Sequence, residues 1–112
     1  VLHPHLMSAT LISKLFQNEI ILEDYELLKA LPGIVTHTAQ VVVPIFDNDQ
    51  DIPRLAERVN LYLDKHTDAC AYVIAGHGLY TWGKSVQETL RFLEALDFLF
   101  ECELRLYRVG KL

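Results

Sequence analysis

An α/β fold, with helices layered against a mixed or antiparallel sheet, is the architecture this sequence predicts. Short β-branched or apolar runs alternate with amphipathic helical segments, and one strand lies beyond a long acidic connection. The final segment adds a third sign. Its apolar residues recur at helical spacing over about 22 residues, enough for a helix of about 33 Å that covers a small sheet.

The elements follow in chain order. Val1-Leu2-His3 has the character of the inside of a strand, so the chain is expected to be a piece of something longer. Ser8 stands where it caps a helix through Phe16, with Leu11, Ile12, Leu15 and Phe16 on one face. After the short stretch Ile20-Ile21-Leu22, a second helical piece is expected from Glu23 to Leu31, stopped by Pro32-Gly33. Gln40 to Ile45 is β-branched and apolar, hence a strand, closed by Pro44 and the acidic loop Phe46 to Asp51.

Asp51 and Pro53 start the next helix, whose apolar side is Leu55, Val59, Tyr62 and Leu63 and which runs out at Lys65 to Asp68. Ala69 to Ala75 is expected as a strand buried on both faces, with Leu79 to Trp82 beside it across a Gly-His-Gly turn. Ser85-Val86-Gln87-Glu88 is a capping box for the last helix. Val86, Leu90, Leu93, Leu96, Phe100, Leu104 and Tyr107 form its expected stripe.

With 112 residues, 51% of them hydrophobic, the chain has the length and apolar content of one domain with a core, residues 1–112. A net charge of −5 with interspersed signs excludes the basic stripe of a nucleic-acid groove. No apolar stretch approaches the roughly 20 residues of a membrane span, and the start lacks the regions of a signal peptide. A soluble, cytoplasmic protein with no membrane partner is therefore expected. Cys70 and Cys102 fall in apolar runs and are expected as buried free thiols.

Histidines carry the chemistry. His3 and His5 are two apart, so on an extended backbone both imidazoles leave on the same face and reach one ion; the alternative is two unrelated surface histidines. His77 lies between Gly76 and Gly78 at a strand end, where missing side chains permit a tight turn and close approach. It is either a ligand or a core histidine bonded to a carbonyl. Together the three make a candidate site with three nitrogen donors and one open position, the pattern of catalytic zinc.

Glu26 lies among Tyr25, Leu27 and Leu28, where desolvation would raise a carboxyl pKa toward neutrality and suit it to acid/base work. Against that stand a solvated helix residue and two equal competitors, Glu23 and Asp24. Asp47, Asp49 and Asp51 lack the glycine and terminal glutamate of a calcium loop and are expected to cap a helix. Tyr80 and Trp82 share a strand face and are expected to pack under the last helix. His37 and His66 have no evident partner. No phosphate-cradling Gly-x-x-x-x-Gly-Lys is present, so a phosphate grip, if needed, comes from elsewhere.

With His3-Pro4-His5, Glu26 in Tyr25-Glu26-Leu27-Leu28-Lys29, and His77-Gly78-Leu79-Tyr80-Thr81-Trp82-Gly83 in order, the chain resembles the C-terminal half of sugar-phosphate dehydratases in the class II aldolase/adducin superfamily. The segment Leu93 to Cys102 extends the likeness. The resemblance implies a three-layer class II aldolase-like sheet with flanking helices, present here as a C-terminal partial domain. It also implies Zn2+ held by His3, His5 and His77, with Glu26 as the acid/base.

The reaction so implied removes water from 5-methylthioribulose 1-phosphate in methionine salvage, giving 2,3-diketo-5-methylthiopentyl 1-phosphate. Zinc would polarise substrate oxygens and stabilise an enediolate, and Glu26 would protonate the departing hydroxyl. A ring-like homotetramer acting on a small sugar phosphate is implied as well. Pro4 and Leu6 depart from the family's usual small hydroxyl residues, which bears on the turn around the first two ligands. Two alternatives use the same residues differently: a class II sugar-phosphate aldolase or epimerase, and a non-catalytic adducin-type interaction module.

Overall fold

Four strands form one sheet in the order β1-β2-β3-β4: β1 (Glu19–Glu23), β2 (Gln40–Phe46), β3 (Ala71–Ile74) and β4 (Gly78–Thr81). β1 is antiparallel to β2, β2 parallel to β3, and β3 antiparallel to β4, so the sheet is mixed. Helices α1 (Met7–Leu15), α2 (Ile52–Lys65) and α3 (Val86–Arg108) flank it, with a 3₁₀ turn at Glu26–Ala30. This is a computed structural model, and it describes residues 1–111.

The register decides which residues form the core. Ile20 pairs with Val43, Leu22 with Val41, Val73 with Leu79 and Ala71 with Thr81, so these eight share one face. Against that face pack Ala9 and Ile12 of α1, Leu28 of the 3₁₀ turn, and Phe92, Leu96, Leu99 and Phe100 of α3. Each large side chain buried there contributes about 1.5–3 kcal/mol. The opposite face carries Val42, Phe46, Tyr72 and Tyr80, all only half-buried. α2 reaches it through Tyr62, edge-on to Phe46 with ring centroids 5.7 Å apart.

Pro44 does not close β2, which runs on to Phe46. The Ile45 N–H donates to the Asn18 carbonyl beyond β1, so the Pro44 nitrogen faces the β3 side, where pairing begins only at Ile45. Its missing donor costs no ladder bond. Asp51 caps α2 by accepting from the Arg54 N–H, and Asp49 takes two bonds from the Arg54 guanidinium, so the acidic loop is the expected cap.

Several expectations are corrected. Leu6, not Ser8, precedes α1; Ser8 lies inside the helix, buried, with its hydroxyl on Asp97 of α3. The buried face of α1 is Ser8, Ala9, Ile12 and Ser13, while Leu11 and Leu15 point outward. The helical piece from Glu23 shrinks to the 3₁₀ turn because Glu23 pairs with Gln40 in the sheet and Asp24 turns the chain with φ +64°. β3 is buried on both faces as expected, Ala71 and Val73 on one and Ile74 on the other, with Tyr72 alone only partly covered.

The stripe of α3 is rotated: Thr89, Phe92, Ala95, Leu96, Leu99, Phe100 and Glu103 are buried, and Val86, Leu90 and Tyr107 are exposed. Apolar residues occur on both flanks of this helix, so spacing alone leaves its phase undecided. Ser85 caps α3 by accepting from the Glu88 N–H, but the Glu88 carboxylate accepts from the Lys84 N–H rather than closing the box on Ser85. Cys70 is buried and Cys102 partly so, both free. Among the described residues no helix is long and apolar enough to cross a membrane.

Candidate metal centre

The β3–β4 connection is the turn Ile74-Ala75-Gly76-His77, closed by the His77 N–H on the Ile74 carbonyl at 3.0 Å. Gly76, third in the turn, has φ +66°, the sign a type II turn requires there and a side chain disfavours. The first residues of the chain run beside β4. Leu2 and Thr81 exchange backbone bonds of 2.9 and 3.1 Å, and the Leu79 N–H reaches the Pro4 carbonyl at 3.2 Å. The strand character of Val1-Leu2-His3 is thus explained.

Gly78 permits this approach. A Cβ there would lie 2.6 Å from the Pro4 oxygen and 3.2 Å from the rings of both His3 and His5. With Leu2 and Pro4 bonded to β4, the alternate residues His3 and His5 leave on the other side, next to His77.

All three imidazoles meet: their candidate ligand atoms lie within 4.8 Å of one another. Nε2 of His3 and Nε2 of His77 are 3.4 Å apart. Tetrahedral zinc bound about 2.0–2.1 Å from each nitrogen sets neighbouring ligand nitrogens roughly 3.4 Å apart, so this pair has the spacing of metal ligands. Nδ1 of His3 donates to the Leu79 carbonyl at 2.9 Å, which places the proton on Nδ1 and leaves the Nε2 lone pair toward His77. Burial first, then the charges of His3 and His5, lower the His77 pKa from its usual value and favour the neutral, ligating imidazole.

Stacking backs the first ligand. The His3 ring lies 3.7 Å from Tyr80 at 12°, and Tyr80 lies 4.7 Å from Tyr72 at 15°. Tyr80 therefore braces the histidine on the sheet face opposite α3, not under the last helix as expected. His66 bonds the Tyr62 carbonyl and stacks on its ring, a structural end to α2.

One contact had no signal in the sequence. Ser13, buried on α1, accepts a hydrogen bond from the Gly76 N–H at 2.9 Å.

Glu26 is not brought into the cluster among the described residues. It opens the 3₁₀ turn with a side chain 72% exposed, bonded to Lys29 at 2.6 Å and 3.8 Å from His37. The expected upward shift is overturned: the Lys29 hydrogen bond and charge hold the carboxyl below its usual value. Sequence neighbours misled here because only Leu28 of the three is buried. Glu23 and Asp24 are exposed as well and join no cluster.

A mixed α/β domain with a histidine trio at its sheet edge defines a class, and comparison names it. The profile described as Class II Aldolase and Adducin N-terminal domain matches residues 1–104, and the chain belongs to this family.

Within that family, a methylthioribulose-1-phosphate dehydratase of Methylococcus capsulatus is 59% identical over 111 residues, covering 99% of this chain and 54% of that protein. The same name is carried by a Pseudomonas syringae pv. syringae protein, 56% identical over 110 residues, covering 97% of this chain and 54% of its own length. A Pseudomonas aeruginosa protein so named is 52% identical over 112 residues, covering 99% of this chain and 55% of its own length. The chain spans about half the length of these relatives, their C-terminal half.

Proposed function

We propose that this chain is the metal-holding part of a cytoplasmic, zinc-dependent hydro-lyase acting in methionine salvage. Its substrate is 5-methylthioribulose 1-phosphate and its product 2,3-diketo-5-methylthiopentyl 1-phosphate. The observation that carries the proposal is the meeting of His3, His5 and His77 in a chain so similar to proteins of that name. Three imidazole donors, one short of the four protein ligands of a closed structural site, suit a catalytic zinc.

Held by His3, His5 and His77, a zinc ion would supply positive charge against the substrate oxygens. The chain's own part is to hold that charge in place. The Leu79 carbonyl fixes the His3 tautomer, and Tyr80 fixes its ring plane. Glu26 is assigned the proton that the departing hydroxyl takes up. That role requires the Glu26–Lys29 pair to open, because a carboxyl held ionised cannot donate. The phosphate is gripped by residues outside this chain, in the preceding half that the relatives carry, and the whole assembles as a homotetramer.

The test uses the chain joined to such a half, loaded with zinc and given 5-methylthioribulose 1-phosphate. Formation of the diketone is expected. Carbon–carbon cleavage without dehydration would instead make it an aldolase.

A further inference from the structure

We infer that Ser13 is a positioning residue for His77: its hydroxyl holds the Gly76 amide and so fixes the turn that aims the third imidazole at the other two. This rests on the proposed metal site and adds what determines where His77 stands.

The Ser13 hydroxyl spends its one proton on the Thr10 carbonyl of its own helix, at 2.7 Å. Only acceptor lone pairs remain, and one receives the Gly76 N–H. That amide belongs to the central peptide of the turn, between its second and third residues. Type I and type II turns differ by a flip of this peptide, and glycine tolerates either sign of φ. Nothing local therefore chooses between them.

The amides on either side have backbone partners: Ala75 donates to the Phe46 carbonyl of β2 at 2.8 Å, and His77 closes the turn on the Ile74 carbonyl at 3.0 Å. Gly76 alone of the three depends on a side chain. The helix that supplies it is firmly seated, with Ala9 and Ile12 in the core and Ser8 bonded to Asp97 of α3. α1 also starts at Met7, two residues after His5. One helix thus ties the His3-Pro4-His5 segment to the turn bearing His77.

The test compares Ser13→Ala, Ser13→Thr and the parent. Alanine removes the acceptor and favours the helix, so the fold should persist; threonine keeps the hydroxyl. Three quantities are read: exchange of the Gly76 amide in metal-free protein, zinc affinity by chelator competition, and the visible spectrum of Co2+ bound in place of zinc.

Ser13→Ala is expected to speed Gly76 exchange about 5- to 10-fold and weaken zinc about 10-fold with a changed cobalt spectrum, and Ser13→Thr to restore all three. Unchanged Gly76 exchange in Ser13→Ala overturns the clamp. Faster exchange with parental zinc affinity and spectrum overturns its bearing on His77. A parent that binds neither metal sinks the metal site instead, and with it the positioning role, while Gly76 exchange still reports separately on the clamp.

Discussion

Gly78→Ala asks how closely the His3-Pro4-His5 segment must lie on β4. The added Cβ would stand 2.6 Å from the Pro4 carbonyl oxygen, where carbon and oxygen ordinarily keep about 3.3 Å. The clash is with backbone, so no side-chain rotation relieves it. Moving the segment by the missing roughly 0.7 Å would stretch the Leu79–Pro4 bond, already 3.2 Å, beyond hydrogen-bond length. A loss of about 1–3 kcal/mol is expected from this overpacking. Propensity alone has the opposite sign, since alanine in place of glycine gains about 0.5–1 kcal/mol. His3 and His5 would move with the segment relative to His77, beyond the roughly 0.5 Å a preorganised site tolerates, and zinc affinity should fall about 10- to 100-fold. Chelator competition and thermal unfolding of the metal-free variant measure both effects. Parental zinc affinity and stability in Gly78→Ala would refute the steric argument.

Other substitutions separate chemistry from scaffold. Glu26→Gln preserves shape and removes the ionisable proton, so zinc should stay bound while dehydration drops at least about 10²-fold; near-parental turnover would take Glu26 out of the mechanism. Glu103 is buried on α3, and its pKa is raised by burial first, an effect eased by Tyr25 and reinforced by Glu23. A carboxyl raised in the folded state binds more protons there than unfolded, so it costs stability as pH climbs from its unfolded value of about 4.3 through the folded one. Glu103→Gln should therefore raise the melting temperature at pH 7 relative to the parent and lose that advantage near pH 4. An equal difference at both pH values would contradict the assignment.

The parts of the site that a short window controls were legible in the sequence. Alternation places His3 and His5 on one face, and the glycines around His77 announce a turn and a close approach, both present. That the two pieces meet depends on Leu2 bridging Thr81, a pairing between distant segments that periodicity does not encode. Ser13 was invisible for a similar reason. A side chain bonding a backbone amide in a distant turn leaves no local pattern.

The upward shift expected of the Glu26 carboxyl is absent for a different reason: apolar neighbours in sequence do not desolvate a carboxyl that a 3₁₀ turn directs to solvent beside a lysine. On α3, Phe92, Ala95 and Leu99 compete with the expected stripe and win, because the register of the sheet beneath selects the flank that fills it. The sheet order itself, with one parallel pair between two antiparallel ones, follows from connections whose direction the strand residues do not specify.

His3, His5 and His77 are together expected to hold one zinc ion. Metal content of the purified protein and of His77→Ala, measured together, tests it most directly. One zinc per chain in the parent and a near-complete loss in His77→Ala is the expected result; no zinc in the parent, or the same zinc content in both, would contradict it.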